Sequence, residues 1–196
     1  MKSMMKDAGI LFAITLIAGL LLGIVYEVTK EPIAVQQAKR KNEACQEVFQ
    51  DAVNFEPLEI SVPENGEKTS ATVNEAYQAI AADGTVLGYV LDVTTHEGYN
   101  GDIQFTMGIR ADGTVNGISL LSIAETPGLG MKAEEVLKPQ FVQKKVSQFS
   151  YTKTGAVAQE EIDAISGATV TTNALVNGVN TGLEFFKTRL GGGKNE

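Results

Sequence analysis

The segment from Ser166 to Thr172 combines residue types suited to binding phosphate, because four hydroxyl side chains fall within seven positions directly before an apolar helical pattern. Ser and Thr at a helix start accept hydrogen bonds from free backbone N–H groups, which accounts for one or two of the four. Gly167-Ala168 lets a ligand approach the backbone, and the helix dipole favours an anion at this end. Helix capping and anion binding both remain open for this segment.

The sequence lacks the residues and motifs that most other kinds of catalytic site require. His96 is the only histidine and Cys45 the only cysteine, so a zinc site and an iron–sulfur centre both lack their ligands. The sequence contains no GxSxG, Walker A or GxGxxG motif. The net charge of −8 argues against nucleic-acid binding, which needs clustered Lys and Arg. We predict no catalytic residue, no metal site and no nucleic-acid partner.

The N-terminal part reads as a membrane anchor. Residues 8–26 carry no charge, and a helix of this length extends roughly 28 Å, close to the thickness of the bilayer hydrocarbon core. A cleaved signal peptide is the alternative, but residues 27–32 contain no small-x-small cleavage site. We therefore predict an uncleaved anchor over residues 1–28. Two basic residues precede the span and four follow it, so a bare count favours an inside location for the C-terminal part. Because the rule is weakest when a long domain follows the span, charge alone leaves both sides open.

The rest of the chain indicates one α+β domain. We expect a linker helix over 29–55 that begins near Pro32, a main domain over 56–190 that starts with a loop over 56–70, and a flexible tail over 191–196. The segment Ala82–Gly88 recurs as 111–117, and each copy contains an Asp-Gly pair typical of a hairpin turn. The pattern predicts one antiparallel sheet with helices on one face, and strands near 76–81, 87–94, 103–110 and 115–122. Helices are expected at 132–137 and 173–190.

Two motifs resemble those of a known family. Asp163-x-x-Ser166-Gly167-Ala168-Thr169 matches the flavinylation motif of FMN-binding domains, D-x-x-[ST]-G-A-[ST]. The segment Glu125-Thr126-Pro127-Gly128-Leu129-Gly130 resembles the loop that packs against the flavin in that family. An N-terminal anchor followed by one such domain looks like the G subunit of the Rnf complex, the membrane-bound ion-translocating ferredoxin:NAD oxidoreductase.

The resemblance implies a covalent cofactor. A dedicated flavin transferase would take FMN from FAD and esterify its phosphate to Thr169. The motif residues would form the recognition and phosphate-binding segment, with Glu125 and Thr126 bonding the flavin ring or its ribityl chain and Leu129 and Gly130 giving it an apolar contact. The implied cofactor-binding residues are Thr169, Asp163, Ser166, Gly167, Ala168, Thr172, Glu125, Thr126, Leu129 and Gly130.

The resemblance also implies a place in an assembly. The chain would relay electrons among the membrane and iron–sulfur subunits of an Rnf complex, with its flavin domain on the outer face of the cell membrane. That side is opposite to the one favoured by the charge count. Three alternatives stay open at this point: the C subunit of a sodium-translocating NADH:quinone reductase, a stand-alone extracellular flavin reductase, and a membrane-anchored binding or scaffold module without flavin.

Overall fold

The N-terminal helix is longer than the sequence predicts. The computed structural model describes residues 2–60 and 70–191, and its first helix, α1, extends over Lys2–Val48. By length and composition this helix is able to cross a membrane, which fits the predicted anchor. The helix start expected near Pro32 is wrong, because Pro32 lies inside α1. The chain divides into two compact units, Met1–Arg40 and Lys41–Glu196.

The second unit is built on a five-stranded antiparallel sheet in the order β1-β2-β3-β4-β5. Sequence reasoning placed the last two strands correctly and missed β1, which occupies part of the expected loop over 56–70. The remainder of that loop, 61–69, lies outside the described residues. The strands are Asn54–Leu58, Ala71–Ile80, Val86–Thr95, Ile103–Arg110 and Val115–Ser122.

The two Asp-Gly pairs form the predicted hairpin turns. Gly84 and Gly113 adopt φ angles of 83° and 86°, in the left-handed region that glycine enters without strain. In each turn the Asp carboxylate accepts a hydrogen bond from the backbone N–H two residues later, at 2.9 Å from Thr85 and 3.0 Å from Thr114. The turn chemistry therefore fixes where β2 ends and where β4 passes into β5.

Helical segments cover both faces of the sheet, not one as expected. The helix α3, Thr169–Phe185, packs its apolar side on one face, where Gly178 and Gly182 let it approach the side chains of Phe105 and Met107. The last turns of α1 and the residues after it pack Cys45, Val48, Phe49 and Ala52 on the other face, against Ala79 and Val90. The sheet is thus buried on both sides, and the predicted α+β class is confirmed.

Short elements connect the sheet to α3. A 3₁₀ turn over Gly130–Lys132 leads into α2, Ala133–Val136, and a second 3₁₀ turn follows at Lys138–Phe141. The strands β6, Ser150–Thr152, and β7, Glu161–Asp163, pair in parallel. The helix α3 begins four residues before its predicted start and continues as a π turn over Phe186–Leu190. Of the predicted tail only Gly191 is among the described residues.

Candidate functional site

The hydroxyl-rich motif runs from the end of β7 into the first turn of α3. Ile165 and Ala168 anchor it in the hydrophobic core, while Ser166 and Gly167 between them are exposed. Gly167 has a φ of +79°, and a Cβ there would lie 3.1 Å from a methyl carbon of Leu129. The turn thus requires a small residue that tolerates the left-handed region. Thr169 is the first residue of the helix, where backbone N–H groups lack intrahelical partners.

The hydroxyl groups of the motif have different surroundings. Thr172 is buried; its hydroxyl accepts a hydrogen bond from the Ile165 N–H at 3.1 Å and donates one to the Ala168 carbonyl at 3.0 Å. Thr171 is also buried and donates to Glu125 Oε2 at 2.9 Å. Within residues 2–60 and 70–191, no hydrogen-bond partner is present for the hydroxyl of Thr169, which is half-buried. Two hydroxyls are therefore fixed in the protein, and the Thr169 hydroxyl is available.

The Pro/Gly loop lies directly against the first turn of α3. Glu125 is 5% exposed; its Oε1 accepts a hydrogen bond from the Asn100 N–H at 3.1 Å, and its Oε2 accepts the one from Thr171. A Cβ on Gly130 would lie 2.6 Å from Thr171 Oγ1 and 2.7 Å from Glu125 Cβ. The absence of a side chain at 130 lets the loop and the helix meet this closely.

A cleft of about 450 Å³ is lined by residues of both the motif and the Pro/Gly loop. This volume lies within the range of cofactor-binding clefts in proteins. Apolar side chains border the cleft, while the start of α3 supplies backbone N–H groups and a hydroxyl. Its lining residues are Tyr99, Glu125, Thr126, Leu129, Gly130, Gly167, Ala168, Thr169, Val170 and Thr171. This combination suits a flat aromatic ring system attached to a phosphate.

The structure brings together most, but not all, of the residues that the sequence singled out. Seven of the ten line the cleft, whereas Asp163, Ser166 and Thr172 do not. Asp163 instead orders the segment before the motif: its carboxylate accepts a hydrogen bond from the Ala156 N–H, and its backbone pairs with the side chain of Gln140. The buried hydroxyl of Thr172 stabilises the turn between β7 and α3 through its hydrogen bonds to the backbone of that turn.

Sequence reasoning missed three residues of the cleft lining. Tyr99 follows β3 in the loop Gly98-Tyr99-Asn100-Gly101, and an aromatic side chain between glycines was the available signal. Val170 and Thr171 belong to the first helical turn, which the sequence placed before the helix. Thr171 was included only as one of the four hydroxyl residues of the segment 166–172, and its hydrogen bond to a residue 46 positions away has no sequence signature.

Comparisons with known proteins agree with this geometry. The family model described as FMN-binding domain matches residues 98–184, which include both sides of the cleft, and the RnfG N-terminal region matches residues 1–48. The G subunit of the Na⁺-translocating ferredoxin:NAD⁺ oxidoreductase complex from Acetobacterium woodii is 32% identical over 193 residues, covering 95% of this chain and 93% of that protein. The chain belongs to the RnfG family.

Further members of the family match over a similar length. The G subunit of the ion-translocating oxidoreductase complex of Methanosarcina acetivorans is 31% identical, covering 97% of this chain and 98% of that protein. The G subunit of the proton-translocating ferredoxin:NAD⁺ oxidoreductase complex of Clostridium ljungdahlii is 30% identical, covering 95% and 97%. The resemblance inferred from the motifs is thereby confirmed.

A solved structure supports the fold. The crystal structure of Shewanella oneidensis NqrC superimposes with a TM-score of 0.51 at 17% identity, covering 71% of this chain and 70% of that one. At this identity the likeness establishes a common fold and leaves function to the site. The family matches over 1–48 and over the full length favour the Rnf protein over its quinone-reductase counterpart.

Proposed function

We propose that this chain carries an FMN bound by a phosphoester to Thr169 and relays electrons as the RnfG component of an ion-translocating oxidoreductase complex. The observation that supports the attachment site most directly is that Thr169 lines the cleft and that its hydroxyl has no hydrogen-bond partner among the described residues. By contrast, the Thr171 hydroxyl is hydrogen-bonded to Glu125, and the Thr172 hydroxyl is hydrogen-bonded to the backbone of Ile165 and Ala168.

The start of α3 provides the phosphate environment. Free N–H groups of the first helical turn and the positive end of the helix dipole favour a phosphate esterified at the first helical residue. Gly167, two residues before Thr169, adds no side chain to this part of the cleft lining. The flavin, when bound, supplies the electron-transfer chemistry, and the residues of the cleft orient it and exclude water from one side.

Attachment requires an external enzyme. A threonine hydroxyl is a weak nucleophile, and no carboxylate or imidazole in the described part of the chain hydrogen-bonds Thr169 to activate it. A flavin transferase would supply the base. In this reaction the Thr169 oxygen forms a bond to the FMN phosphorus of FAD, the pyrophosphate bond breaks, AMP leaves, and the hydroxyl proton passes to the base.

The relatives support a place for this chain in a multi-subunit complex. Their names describe components of complexes that translocate sodium ions in one case and protons in another, so the proposal covers ion-translocating complexes as a class. The donor and acceptor of electrons would be other membrane and iron–sulfur subunits. Ion movement would belong to the complex, because one helix alone offers no pathway across the bilayer.

We place the flavin domain on the outer face of the membrane. A covalent bond is advantageous there, since a dissociated FMN would not be replaced from the cytoplasmic pool. Fusion of alkaline phosphatase or of green fluorescent protein after residue 196 tests the orientation. The proposal predicts that the alkaline phosphatase fusion is active and that the green fluorescent protein fusion does not fluoresce. The reverse pattern would place the domain inside.

Mass spectrometry of the intact chain tests the attachment. Wild type and variants are produced together with a flavin transferase, and the proposal predicts an added mass of one FMN unit in wild type. Thr169→Val removes the hydroxyl at nearly constant volume and should abolish the added mass, whereas Thr169→Ser should retain it. Thr188→Val, at an exposed threonine near the end of the last helical segment, is the matched control and should retain the FMN. An unmodified wild-type chain, with the transferase active on another substrate, would contradict the proposal.

A further inference from the structure

We propose that Tyr99 forms the aromatic wall of the cleft and stacks on the flavin ring, which makes it a positioning residue that the motifs do not reveal. This inference rests on the proposed attachment of FMN to Thr169. It concerns the loop between β3 and β4, residues 96–102, which forms a border of the cleft apart from both motifs.

The loop is held in place at several points. His96 Nδ1 lies 3.0 Å from a carboxylate oxygen of Asp102, joining its two ends. Glu97 accepts a hydrogen bond at 2.7 Å from the side chain of Asn177 in α3. Asn100 donates its backbone N–H to Glu125 at 3.1 Å and its side-chain amide to the Ala124 carbonyl at 2.7 Å. The loop is therefore fixed to α3 and to the segment that begins the Pro/Gly loop.

Close packing also fixes the start of the loop. A Cβ on Gly98 would lie 2.1 Å from the Gly101 carbonyl oxygen and 2.8 Å from Glu125 Oε1. The backbone next to Tyr99 thus lies against the buried carboxylate of Glu125, which also lines the cleft. The backbone position of residue 99 is therefore determined by the same contacts that hold Glu125.

Tyr99 itself is exposed. Its side chain is 72% exposed although the polar residues beside it are engaged, and no ring of another described residue stacks on it. Leu129 and Val170, also exposed, border the same cleft. Exposing these three large apolar side chains to water around one cleft costs free energy. A flat, apolar group that covers them would explain their exposure in the chain by itself. Aromatic rings gain further from offset stacking, which favours the flavin ring as that group.

The phenol provides a specific readout. A tyrosine in contact with a flavin quenches its fluorescence, because one electron passes from the phenol to the light-excited ring and then returns, with no net change. The measurement uses the full-length flavinylated protein in detergent and compares wild type with Tyr99→Phe and Tyr99→Ala. Tyr151→Phe is the matched control, at a half-buried tyrosine in β6 that does not line the cleft.

Expected results differ between the variants. Tyr99→Phe removes the electron-rich phenol but keeps the ring, so flavin fluorescence should rise several-fold while iodide, a soluble quencher, reaches the flavin no better than in wild type. Tyr99→Ala should raise the fluorescence and also increase quenching by iodide, since loss of one aromatic contact shifts the ratio of docked to undocked ring about fivefold. Tyr151→Phe should behave as wild type.

The intact mass separates failure of this inference from failure of the proposed function. If every variant carries FMN and both Tyr99 variants match wild type in fluorescence, Tyr99 does not touch the flavin and the inference is overturned. A role of Tyr99 in contacting another protein of the complex would give this same result. If Tyr99→Ala carries no FMN, the flavin fluorescence of Tyr99→Phe decides whether Tyr99 contacts the flavin. A wild-type chain without FMN would overturn both proposals.

Discussion

Glu125 and Thr171, 46 residues apart, are joined by a hydrogen bond of 2.9 Å from the threonine hydroxyl to the carboxylate. Glu125 is 5% exposed and Thr171 1% exposed, so the bond is buried, and both residues line the cleft. It links the Pro/Gly loop to the first turn of α3, the two segments that carry the family motifs. The same carboxylate accepts the Asn100 N–H, so that three segments meet at one side chain.

Thr171→Val should destabilise the protein without moving the flavin. The substitution keeps the side-chain volume but leaves one oxygen of a buried carboxylate without its donor, a loss of about 1–3 kcal/mol in the free energy of unfolding. Urea unfolding of wild type, Thr171→Val and Thr171→Ser measures it, and the serine variant should retain most of the stability. Equal stability of the valine variant and wild type would show that the bond contributes nothing.

Gly130→Ala should disturb the contact between the loop and the helix. The added carbon would lie 2.6 Å from Thr171 Oγ1, and such overpacking costs about 1–3 kcal/mol. The cost should fall in a Thr171→Ala background, because the crowded oxygen is then absent. Gly128→Ala is the comparison: its φ of +78° makes alanine strained, but no atom lies within 4 Å of the new carbon. Its cost should therefore be independent of residue 171, and additivity for Gly130→Ala would contradict the packing explanation.

The sequence predicted local structure well where turn chemistry determines it. The boundaries of β4 and β5 agree with prediction because Asp112-Gly113 fixes the turn between them. The strand β1 was missed because Pro57 suggests a loop, whereas an edge strand tolerates a missing N–H. Pro32 suggested a helix start, but one lost hydrogen bond does not end a helix whose flanking segments both favour the helical state.

The candidate site was predictable only in part. The motifs identified seven residues of the cleft, since they are contiguous in sequence and carry recognisable chemistry. Tyr99 and the bond between Glu125 and Thr171 depend on contacts between distant segments, which residue types and spacing do not encode. The buried role of Thr172 also required the structure, because a Thr in the first turn of a helix is able to face either the core or the cleft.

Asp92→Ala should be among the most destabilising single substitutions in the second unit. The carboxylate is 3% exposed and lies 3.0 Å from Lys41 Nζ, and it also accepts hydrogen bonds from Asn74 and Gln104. Removing it leaves two amide donors and the partly buried Lys41 ammonium, which keeps its pair with Glu75, without this acceptor, at a cost of about 1–3 kcal/mol per unpaired donor. Asp102→Ala is the control: that side chain is 64% exposed, and loss of its pair with His96 should cost at most about 1 kcal/mol. Comparable losses in both variants would contradict this difference.

Glu75 should make stability depend on pH in the acid range. The hydrogen bond from Lys41, together with one from the Tyr77 hydroxyl, holds the pKa of the Glu75 carboxyl below its ordinary 4.5. Because the folded-state pKa is lowered, the stabilisation is complete above pH 4.5 and is lost as the pH falls through the folded-state value. Urea midpoints of wild type and Glu75→Gln, measured from about pH 7 to pH 3, should differ at neutral pH and converge in acid. A difference that stays constant over this range would contradict the assignment.

The most direct test of the central claim is tandem mass spectrometry of the tryptic peptide 154–187 from the flavinylated protein. This peptide contains the hydroxyls of Ser166, Thr169, Thr171 and Thr172, so its fragments distinguish all four. The proposal predicts that every fragment containing Thr169 carries the FMN mass and that fragments containing only the other three do not. FMN on Ser166, Thr171 or Thr172, or a peptide that carries none, would contradict the assignment of Thr169 as the flavin-bearing residue.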